Sequence, residues 1–433
     1  MTSRSVPLYV HIPFCVLKCA YCDFFSVPCV AKRVQSGRRR MPYGEKRVPC
    51  SEKSMSHLET PLLVPDDYIN AVLHEAAYVA RAKNIDVWKT VYVGGGTPSL
   101  LAPAQLRNLF SGLQKIADCQ KSDEVTVEVN PCDVTEELLS VLEDCGVTRI
   151  SCGIQSLNEY ALLRVQRRSS RRDALHALEL LAKNWRGAFS CDMISGLPEE
   201  TEASFIAALE TLISYKPQHI SLYSLTLEKG TPLANSVERG TLAYDFDSAD
   251  DMWISGRDFL LAHGYAQYEV SNFCTTGNEC VHNSAYWNLD DYCGCGAGAT
   301  STFYGDSMRI TNTTDIASYI SFWKNGAHCG KSFATEKVAI DGIDSAIIPA
   351  HRECIDTHTA SFEFFMLGLR TARGVCRERY EARFGAFPQK VAALFREWQT
   401  AGRAVIKEHG GAHWYALTAT GLLFLNDFLE SLL

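Results

Sequence analysis

Short apolar runs alternate with amphipathic stretches through the first half of the chain. The apolar runs have the length of buried strands: Leu8–Ile12, Thr90–Val93, Val125–Val129, 149–153, 190–194 and 219–222. Stretches with helical periodicity lie between them: 67–83, 103–119, 135–145, 172–184 and 201–214. This alternation predicts an α/β fold with a parallel sheet and outer helices, and six such units favour a partial (β/α)6 barrel. We therefore expect ligands at the carboxyl ends of the strands.

Two regions depart from this rhythm. Residues 26–65 combine many basic residues and prolines without any period, which predicts an irregular basic loop. Ser361–Leu433 has the pattern helix, helix, hairpin (Ala404–Leu417) and helix, which is typical of a small α+β, winged-helix-like module. We therefore predict a barrel domain over residues 1–300, with a polar and Gly-rich segment over 265–300. A C-terminal α+β domain is predicted over 301–433.

Composition and charge narrow the classes of function. The 433 residues are 46% hydrophobic and 21% charged, which is typical of a globular protein. The net charge of −8 gives no reason to expect a nucleic-acid partner. No apolar run approaches the roughly 20 residues needed to span a bilayer, and Met1–Pro7 lacks an apolar signal core. We expect a cytoplasmic protein.

Three of the seventeen cysteines form a tight group directly after the first strand. Cys15, Cys19 and Cys22 have the spacing C-x-x-x-C-x-x-C, and thiolates are the ligands of iron–sulfur clusters. Three thiolates leave one iron of a 4Fe–4S cubane open, and this iron can bind the amino and carboxylate groups of S-adenosylmethionine (SAM). A zinc site is the alternative, although zinc sites usually close with a second pair of ligands.

Glycines and polar residues follow the later strands. Gly94-Gly95-Gly96-Thr97-Pro98-Ser99 comes after the second strand and permits close backbone approach to a ligand. Glu128 and Gln155 end the third and fourth strands, and Asp192 lies in the fifth. Strand-end side chains of a barrel converge on one mouth, which favours a binding site there.

The motifs occur in an order that resembles a known family. They are HIPFC-x3-C-x2-C, GGGTPS, EVNP, GIQS, DMISGLP, YEVSNF and HNxxYW, from Tyr9 to about Gly298. This order is similar to that of the oxygen-independent coproporphyrinogen III oxidases of the radical SAM superfamily, and most similar to the HemW-type haem chaperone branch. Weaker similarity (FEFFMLGLRTARGV, ALTATGLL) extends to the C-terminus.

The resemblance implies site residues. It implies that Cys15, Cys19 and Cys22 hold the cluster as its metal ligands. It further implies that the SAM contacts are Tyr9, Gly95, Gly96, Thr97, Glu128, Gln155, Arg167 and Asp192. Arg167 stands among several other arginines, so a solvated helix charge is the competing interpretation for it. One position departs from the family pattern, because Thr300 stands where relatives have histidine in GxGxGAHS.

Two functions are compatible with the resemblance. An oxidase carries a further cysteine two positions after the third, whereas Cys22-Asp23-Phe24 has phenylalanine there and resembles the chaperone branch. In the HNxxYW segment, His282 offers an imidazole ligand for haem iron, and Tyr286 and Trp287 offer flat apolar surface. We therefore expect a haem chaperone that binds a 4Fe–4S cluster, SAM and haem. The alternatives are coproporphyrinogen III oxidase and a radical enzyme with another substrate, so enzymatic activity stays open.

The same reasoning predicts the partners. They are haem or a porphyrinogen, apoproteins that accept haem, and a protein that donates one electron. We expect no nucleic-acid partner, and membrane contact only through the recipients of haem.

Overall fold

A nine-stranded sheet is the centre of the molecule within the residues that the computed structural model describes, 4–29, 64–324 and 350–432. Six of its strands are parallel neighbours, in the spatial order β1, β4, β5, β6, β7 and β8. Their bounds are β1 Arg4–Ile12, β4 Ile85–Gly95, β5 Glu124–Val129, β6 Arg149–Gln155, β7 Ala188–Ser195 and β8 His219–Ser224. A short parallel pair, β2 (Phe14–Cys15) and β3 (Val27–Pro28), follows β1.

Further strands extend both edges of this sheet. β11 (Cys293–Cys295) lies parallel to β1, with Tyr9 opposite Gly294. At the other edge β10 (Asn272–Cys274) runs antiparallel to β8, and β9 (Ala266–Gln267) pairs with β10. Both edges of the six-stranded unit are thereby covered by chain from beyond residue 265.

Helices connect the parallel strands and bury their apolar faces against the sheet. They are α1 Asp66–Lys83, α2 Pro103–Ile116, α3 Glu136–Asp144, α4 Glu159–Arg164, α5 Arg171–Asn184, α6 Glu202–Ser214, α7 Pro232–Glu238 and α8 Phe246–Ala262. Hydroxyl side chains begin several of them: Thr135 accepts from the Leu138 amide and Ser170 from the Asp173 amide. One large core of strand and helix residues, including Trp88, Phe205 and Phe273, fills the space between the layers.

The partial (β/α)6 barrel predicted from the sequence is confirmed. Each predicted strand is present, and the observed strands are longer by up to a few residues at either end. The Gly-rich segment near residue 295 contains edge strand β11, which the sequence did not predict. The predicted irregular loop over 26–65 falls almost wholly outside the described residues.

The chain after the barrel forms a three-stranded antiparallel sheet and a C-terminal α+β module. The sheet contains β12 (Thr300–Phe303), β13 (Met308–Asn312) and β14 (Ala350–Cys354). Helix α9 (Val281–Trp287) precedes it, and α10 (Ile316–Lys324) packs on α1. The module consists of α11 Thr357–Gly368, β15 Val375–Cys376, α12 Arg377–Phe384, α13 Gln389–Thr400, β16 Ala404–His409, β17 Ala412–Leu417, α14 Ala419–Leu422 and α15 Leu425–Glu430.

An aromatic core holds this C-terminal module together. Phe364, Phe365, Tyr380, Phe395 and Phe428 are all buried in it. Leu289, just beyond α9, packs into the same core although it belongs to the segment before residue 300. The predicted α+β character is confirmed, whereas the division at residue 300 stays a prediction. No helix in the described ranges is long and apolar enough to cross a bilayer.

Candidate functional site

A loop between β1 and β4 carries the three clustered cysteines. Cys15 ends β2, and the backbone of the loop is fixed by hydrogen bonds from the Val27 amide to the Pro13 carbonyl (2.7 Å) and from the Cys22 amide to the Cys19 carbonyl (3.2 Å). The Ala20 amide donates to the Val165 carbonyl at 2.9 Å, which ties the loop to the segment after α4. The cysteines therefore stand at the carboxyl ends of the barrel strands.

A cavity of about 480 Å³ opens beside this loop. The sequence-predicted residues that line it are Cys15, Cys19, Cys22, Gly95, Gly96, Thr97, Glu128, Gln155, Arg167 and Asp192. Two predicted residues, Tyr9 and His282, are not among its lining residues. The strand-end argument from the sequence thus brings together one set of side chains at one mouth.

Two polar side chains contact the cysteine sulfur atoms. The Thr97 hydroxyl donates to Cys15 Sγ at 3.4 Å, and Arg167 Nη1 donates to Cys19 Sγ at 3.6 Å. A hydroxyl donor and a guanidinium both stabilise thiolate over thiol, and thiolate is the form that binds iron. Arg167 is half-buried and lies outside the helices, and its guanidinium contacts Cys19 and the Gly153 carbonyl, which favours a site residue over a solvated helix charge.

The glycines after β4 allow the backbone to approach the cysteine loop. A Cβ atom on Gly96 would lie 2.6 Å from the Phe14 carbonyl oxygen, and one on Gly95 would lie 2.6 Å from the His11 ring. Gly95 also has a φ of +114°, which side-chain-bearing residues rarely adopt. The GGGTPS turn is therefore packed tightly against the residues that precede Cys15.

Two half-buried carboxylates face the cavity. Glu128 accepts hydrogen bonds from the Tyr92 hydroxyl (2.9 Å) and the Gly95 amide (3.0 Å), and Asp192 accepts from the Ser151 hydroxyl at 3.2 Å. Burial, with the nearby charge of Asp192, raises the pKa of Glu128 to about 7. Burial raises the pKa of Asp192 to about 6. A cationic ligand in the cavity would favour the ionised form of both carboxyl groups, which would then attract it.

Gln155 and Arg167 carry polar atoms with no protein partner in the part of the chain that the structure describes. Gln155 Oε1 and Arg167 Nε are both buried, while Arg167 Nη2 is held by the Gly153 carbonyl at 2.5 Å. Gln155 has a positive φ of 68°, which places it in the left-handed region at the end of β6. Buried polar atoms are normally hydrogen-bonded, so these two indicate a ligand or water in the cavity.

Tyr9 lies on β1 behind the cavity wall. Its hydroxyl is 2.9 Å from His11 Nδ1, and its ring stacks on Tyr92 at a centroid distance of 6.1 Å. His11 Nε2 in turn lies 3.0 Å from the Phe25 carbonyl oxygen. Tyr9 is thus connected to the cysteine loop through His11, a residue that the sequence did not single out as part of the site.

His282 is enclosed at the start of α9. Nδ1 lies 2.7 Å from the Thr90 hydroxyl and Nε2 lies 2.8 Å from the Tyr286 hydroxyl, and the side chain is 1% exposed. Burial lowers its pKa to about 3, so the imidazole is neutral. In this arrangement neither ring nitrogen is available to a metal. Thr300, the other unusual position, is hydrogen-bonded to Thr311 at 2.9 Å.

Comparison with known proteins gives the family. The radical SAM superfamily model matches residues 9–212. Heme chaperone HemW of Lactococcus lactis is 31% identical over 385 residues, covering 89% of this chain and 86% of that protein. Heme chaperone HemW of Escherichia coli is 29% identical over 424 residues, covering 98% and 97%. The chain belongs to the HemW family.

A solved structure agrees with the fold of this HemW-family chain. Coproporphyrinogen III oxidase (HemN) from Escherichia coli superposes with a TM-score of 0.71 at 17% identity, covering 99% of this chain and 90% of that one. At this identity the likeness concerns the fold alone. It supports the partial barrel followed by the C-terminal module.

Membership of the radical SAM superfamily implies a 4Fe–4S cluster and SAM as cofactors, and the cavity of this HemW-family chain fits both. Among the described residues, no three His, Cys, Asp or Glu side chains converge on one point as the ligands of a single ion must. A 4Fe–4S cubane does not require such convergence, because each of the three thiolates binds a different iron atom. The unpaired atoms of Gln155 and Arg167 and the two carboxylates fit a polar, cationic ligand such as SAM.

Sequence reasoning missed part of this wall. Ser151 lies within a predicted strand, and Asn130 directly follows another. Tyr223 is the penultimate residue of β8 and also lines the cavity. The ion pair of Arg168 with Asp133 (Nη1 to Oδ2, 3.1 Å) forms a further part. The strand-end rule would have found Tyr223, because β8 was predicted. No sequence pattern indicates the ion pair, because its partners lie 35 positions apart in the chain.

Proposed function

We propose that this chain is a haem chaperone that binds a 4Fe–4S cluster and SAM in the cavity and delivers haem to haem proteins. The observation that carries the proposal is the 31% identity with a heme chaperone over most of both chains. Phe24 also supports the proposal, because it stands at the position where the oxidases carry a fourth cysteine, so this chain has no thiol there.

The proposal gives each cavity residue a role. Cys15, Cys19 and Cys22 hold the cluster, and Thr97 and Arg167 donate hydrogen bonds to the sulfur atoms of Cys15 and Cys19. When bound, the cluster supplies one electron for reductive cleavage of SAM.

The remaining predicted contacts bind and orient SAM. Glu128 and Asp192 face its positive charges, Gln155 offers its unpaired carbonyl, and the backbone of Gly95 and Gly96 permits close approach. Tyr9 acts from behind this wall, through its stacking on Tyr92.

Haem ligation is assigned to His282 as part of the same proposal. Its neutral imidazole is a suitable ligand for haem iron, but both ring nitrogens are engaged and the side chain is buried. Binding therefore requires either the Tyr286 side chain to rotate away from Nε2, or α9 to move away from Thr90 of β4 so that Nδ1 becomes available. The proposal further includes a protein that donates one electron, a cytoplasmic site of action, and membrane contact made only through recipients of haem.

The test is haem binding and transfer by the anaerobically reconstituted protein. The His282→Ala variant is expected to retain less haem while its cluster absorbance stays intact. The matched control is His219→Ala, because His219 is equally enclosed, with Ser190 and Tyr268 on its ring nitrogens. Equal haem loss in both variants, or loss of the cluster from His282→Ala, would count against a haem role for His282.

A second assay separates the chaperone from an oxidase. Coproporphyrinogen III is incubated with the reconstituted protein, SAM and a strong one-electron reductant, and products are followed by mass spectrometry. We expect intact substrate. Loss of carbon dioxide from the porphyrinogen over many turnovers would overturn the chaperone proposal.

A further inference from the structure

A second, smaller cavity of about 50 Å³ lies on the inner face of the sheet. Alternate residues of neighbouring strands form its wall, so their side chains share one face. They are Thr126 and Glu128 of β5, Arg149 and Ser151 of β6, Ser190 and Asp192 of β7, and His219, Ser221 and Tyr223 of β8. Tyr92, Cys280 and Asn283 complete the wall.

Glu128 and Asp192 border both cavities. β5, β6 and β7 each contribute one residue nearer the mouth and one deeper residue, β8 contributes three residues, and the carboxylates occupy the nearer positions. The small cavity therefore lies directly behind the wall that faces the proposed SAM site. Anything it contains contacts the same two carboxylates from the other side.

Two residues of the inner cavity wall carry a polar atom that lacks a protein partner in the described ranges. Thr126 Oγ1 and Arg149 Nη1 are both fully enclosed, and their residues are 0% and 6% exposed. Arg149 uses its other nitrogens on Glu124 (2.9 Å) and on the Asn278 carbonyl (3.1 Å), so Nη1 alone is left. Enclosed donors of this kind are normally satisfied by water, and 50 Å³ holds about three molecules.

We propose that the inner cavity holds ordered waters that connect Glu128 with Asp192, and that the two carboxyl groups share a proton that is released when the positively charged sulfonium of SAM enters the main cavity. The inference rests on the proposed SAM site. The proton passes from the carboxyl group to the cavity water and then to the buffer. No bond other than this O–H bond breaks, and no electron is transferred.

The charges around the pair fix the direction of the change. The titratable or charged groups that face it from the surrounding elements are Tyr9, Tyr92, Arg149, Cys152, Arg167, His219, Tyr223 and Cys280. Only the two arginines carry a full charge near neutral pH, because burial raises the pKa of the tyrosines and cysteines and lowers that of His219.

A cation entering the main cavity favours the ionised form of both carboxyl groups, so their pKa falls and a proton leaves. The pKa of Glu128 is about 7 without ligand. Release is therefore expected to be largest near pH 6 and to disappear above pH 8, where the pair is already ionised.

Isothermal titration of the reconstituted full chain tests the proton release. SAM and S-adenosylhomocysteine are each titrated in buffers of different ionisation enthalpy. Both ligands have the same amino-acid moiety, so the difference in protons released isolates the effect of the sulfonium charge. At pH 6 we expect SAM to release up to about one proton more than S-adenosylhomocysteine. An equal release by both ligands would overturn the inference while leaving the SAM site standing, whereas absence of SAM binding would refute both.

A crystal structure at high resolution tests the waters. We expect density within hydrogen-bond distance of Thr126 Oγ1 and Arg149 Nη1, and loss of the water at Oγ1 in Thr126→Val. The matched control is Thr302→Val, whose hydroxyl is equally buried but lies in β12 on Tyr292. A dry cavity, or a metal cation in place of the waters, would contradict the proposal.

Discussion

Substitution of Gly96 by alanine is expected to disturb the cysteine loop directly. The new Cβ would lie 2.6 Å from the Phe14 carbonyl oxygen and 2.9 Å from the Phe14 nitrogen, both of which are backbone atoms. An ordinary contact begins at 3.4 Å, so one segment has to retreat by roughly 0.8 Å. Because Phe14 immediately precedes Cys15, this displacement reaches the first thiolate of the proposed cluster.

The steric strain caused by Gly96→Ala can be expressed as a loss of free energy of unfolding. Inserting a methyl group into a closely packed site costs about 1–3 kcal/mol in free energy of unfolding. We therefore expect Gly96→Ala to lower the thermal unfolding midpoint, followed by circular dichroism, and to reduce cluster absorbance after anaerobic reconstitution. SAM affinity is expected to fall as well, since Gly96 also lines the cavity.

Gly305→Ala is the matched control for this experiment. A Cβ on Gly305 meets no atom within 4 Å, and this residue does not have a positive φ. It is expected to keep wild-type stability and cluster content. The reasoning is refuted if Gly96→Ala behaves like Gly305→Ala in both measurements.

Two further substitutions test the buried network and the cluster ligands. Glu124→Gln is expected to lower the free energy of unfolding by about 3–5 kcal/mol, because it leaves the enclosed Arg149 without a counter-charge. Chemical denaturation measures this free energy. The control is Glu353→Gln, which removes a carboxylate from a more exposed ion pair and is expected to change the free energy of unfolding little. If both variants unfold alike, the Glu124 pair is not a major support. Cys19→Ala is expected to abolish the 4Fe–4S absorption spectrum, whereas Cys119→Ala keeps it; a surviving spectrum in Cys19→Ala would disprove the ligand assignment.

The sequence predicted the barrel well because its signals are local. Each parallel strand is a short apolar run, and each helix has its own period and, in several cases, its own hydroxyl cap. Strand β11 was missed because Cys293–Cys295 is only three residues long and contains a glycine, so it has no readable alternation. Its pairing with β1 depends on residues almost three hundred positions away.

The site was predictable to the extent that strand ends converge. Glu128, Gln155 and Asp192 followed from this rule, whereas Arg167 followed only from the resemblance. Thr126 and Arg149 of the inner cavity could not be found, because an inward polar residue of a strand has no distinguishing pattern. The burial of His282 could not be predicted from the sequence either, because its contact with Thr90 forms only when α9 packs on β4.

Helix α9 is attached to two different packing units at its two ends. At its beginning, the amides of Val281 and His282 donate to Glu124 of β5. Just beyond its end, Arg379 of α12 donates to the Asn288 carbonyl at 3.1 Å, and Arg383 donates to the Leu289 carbonyl at 3.1 Å. A shortened protein that ends near residue 300 would lose these C-terminal donors and the core that receives Leu289. The HNxxYW helix would then be held at one end only, so the isolated barrel is a poor substitute for the full chain in any measurement of haem binding.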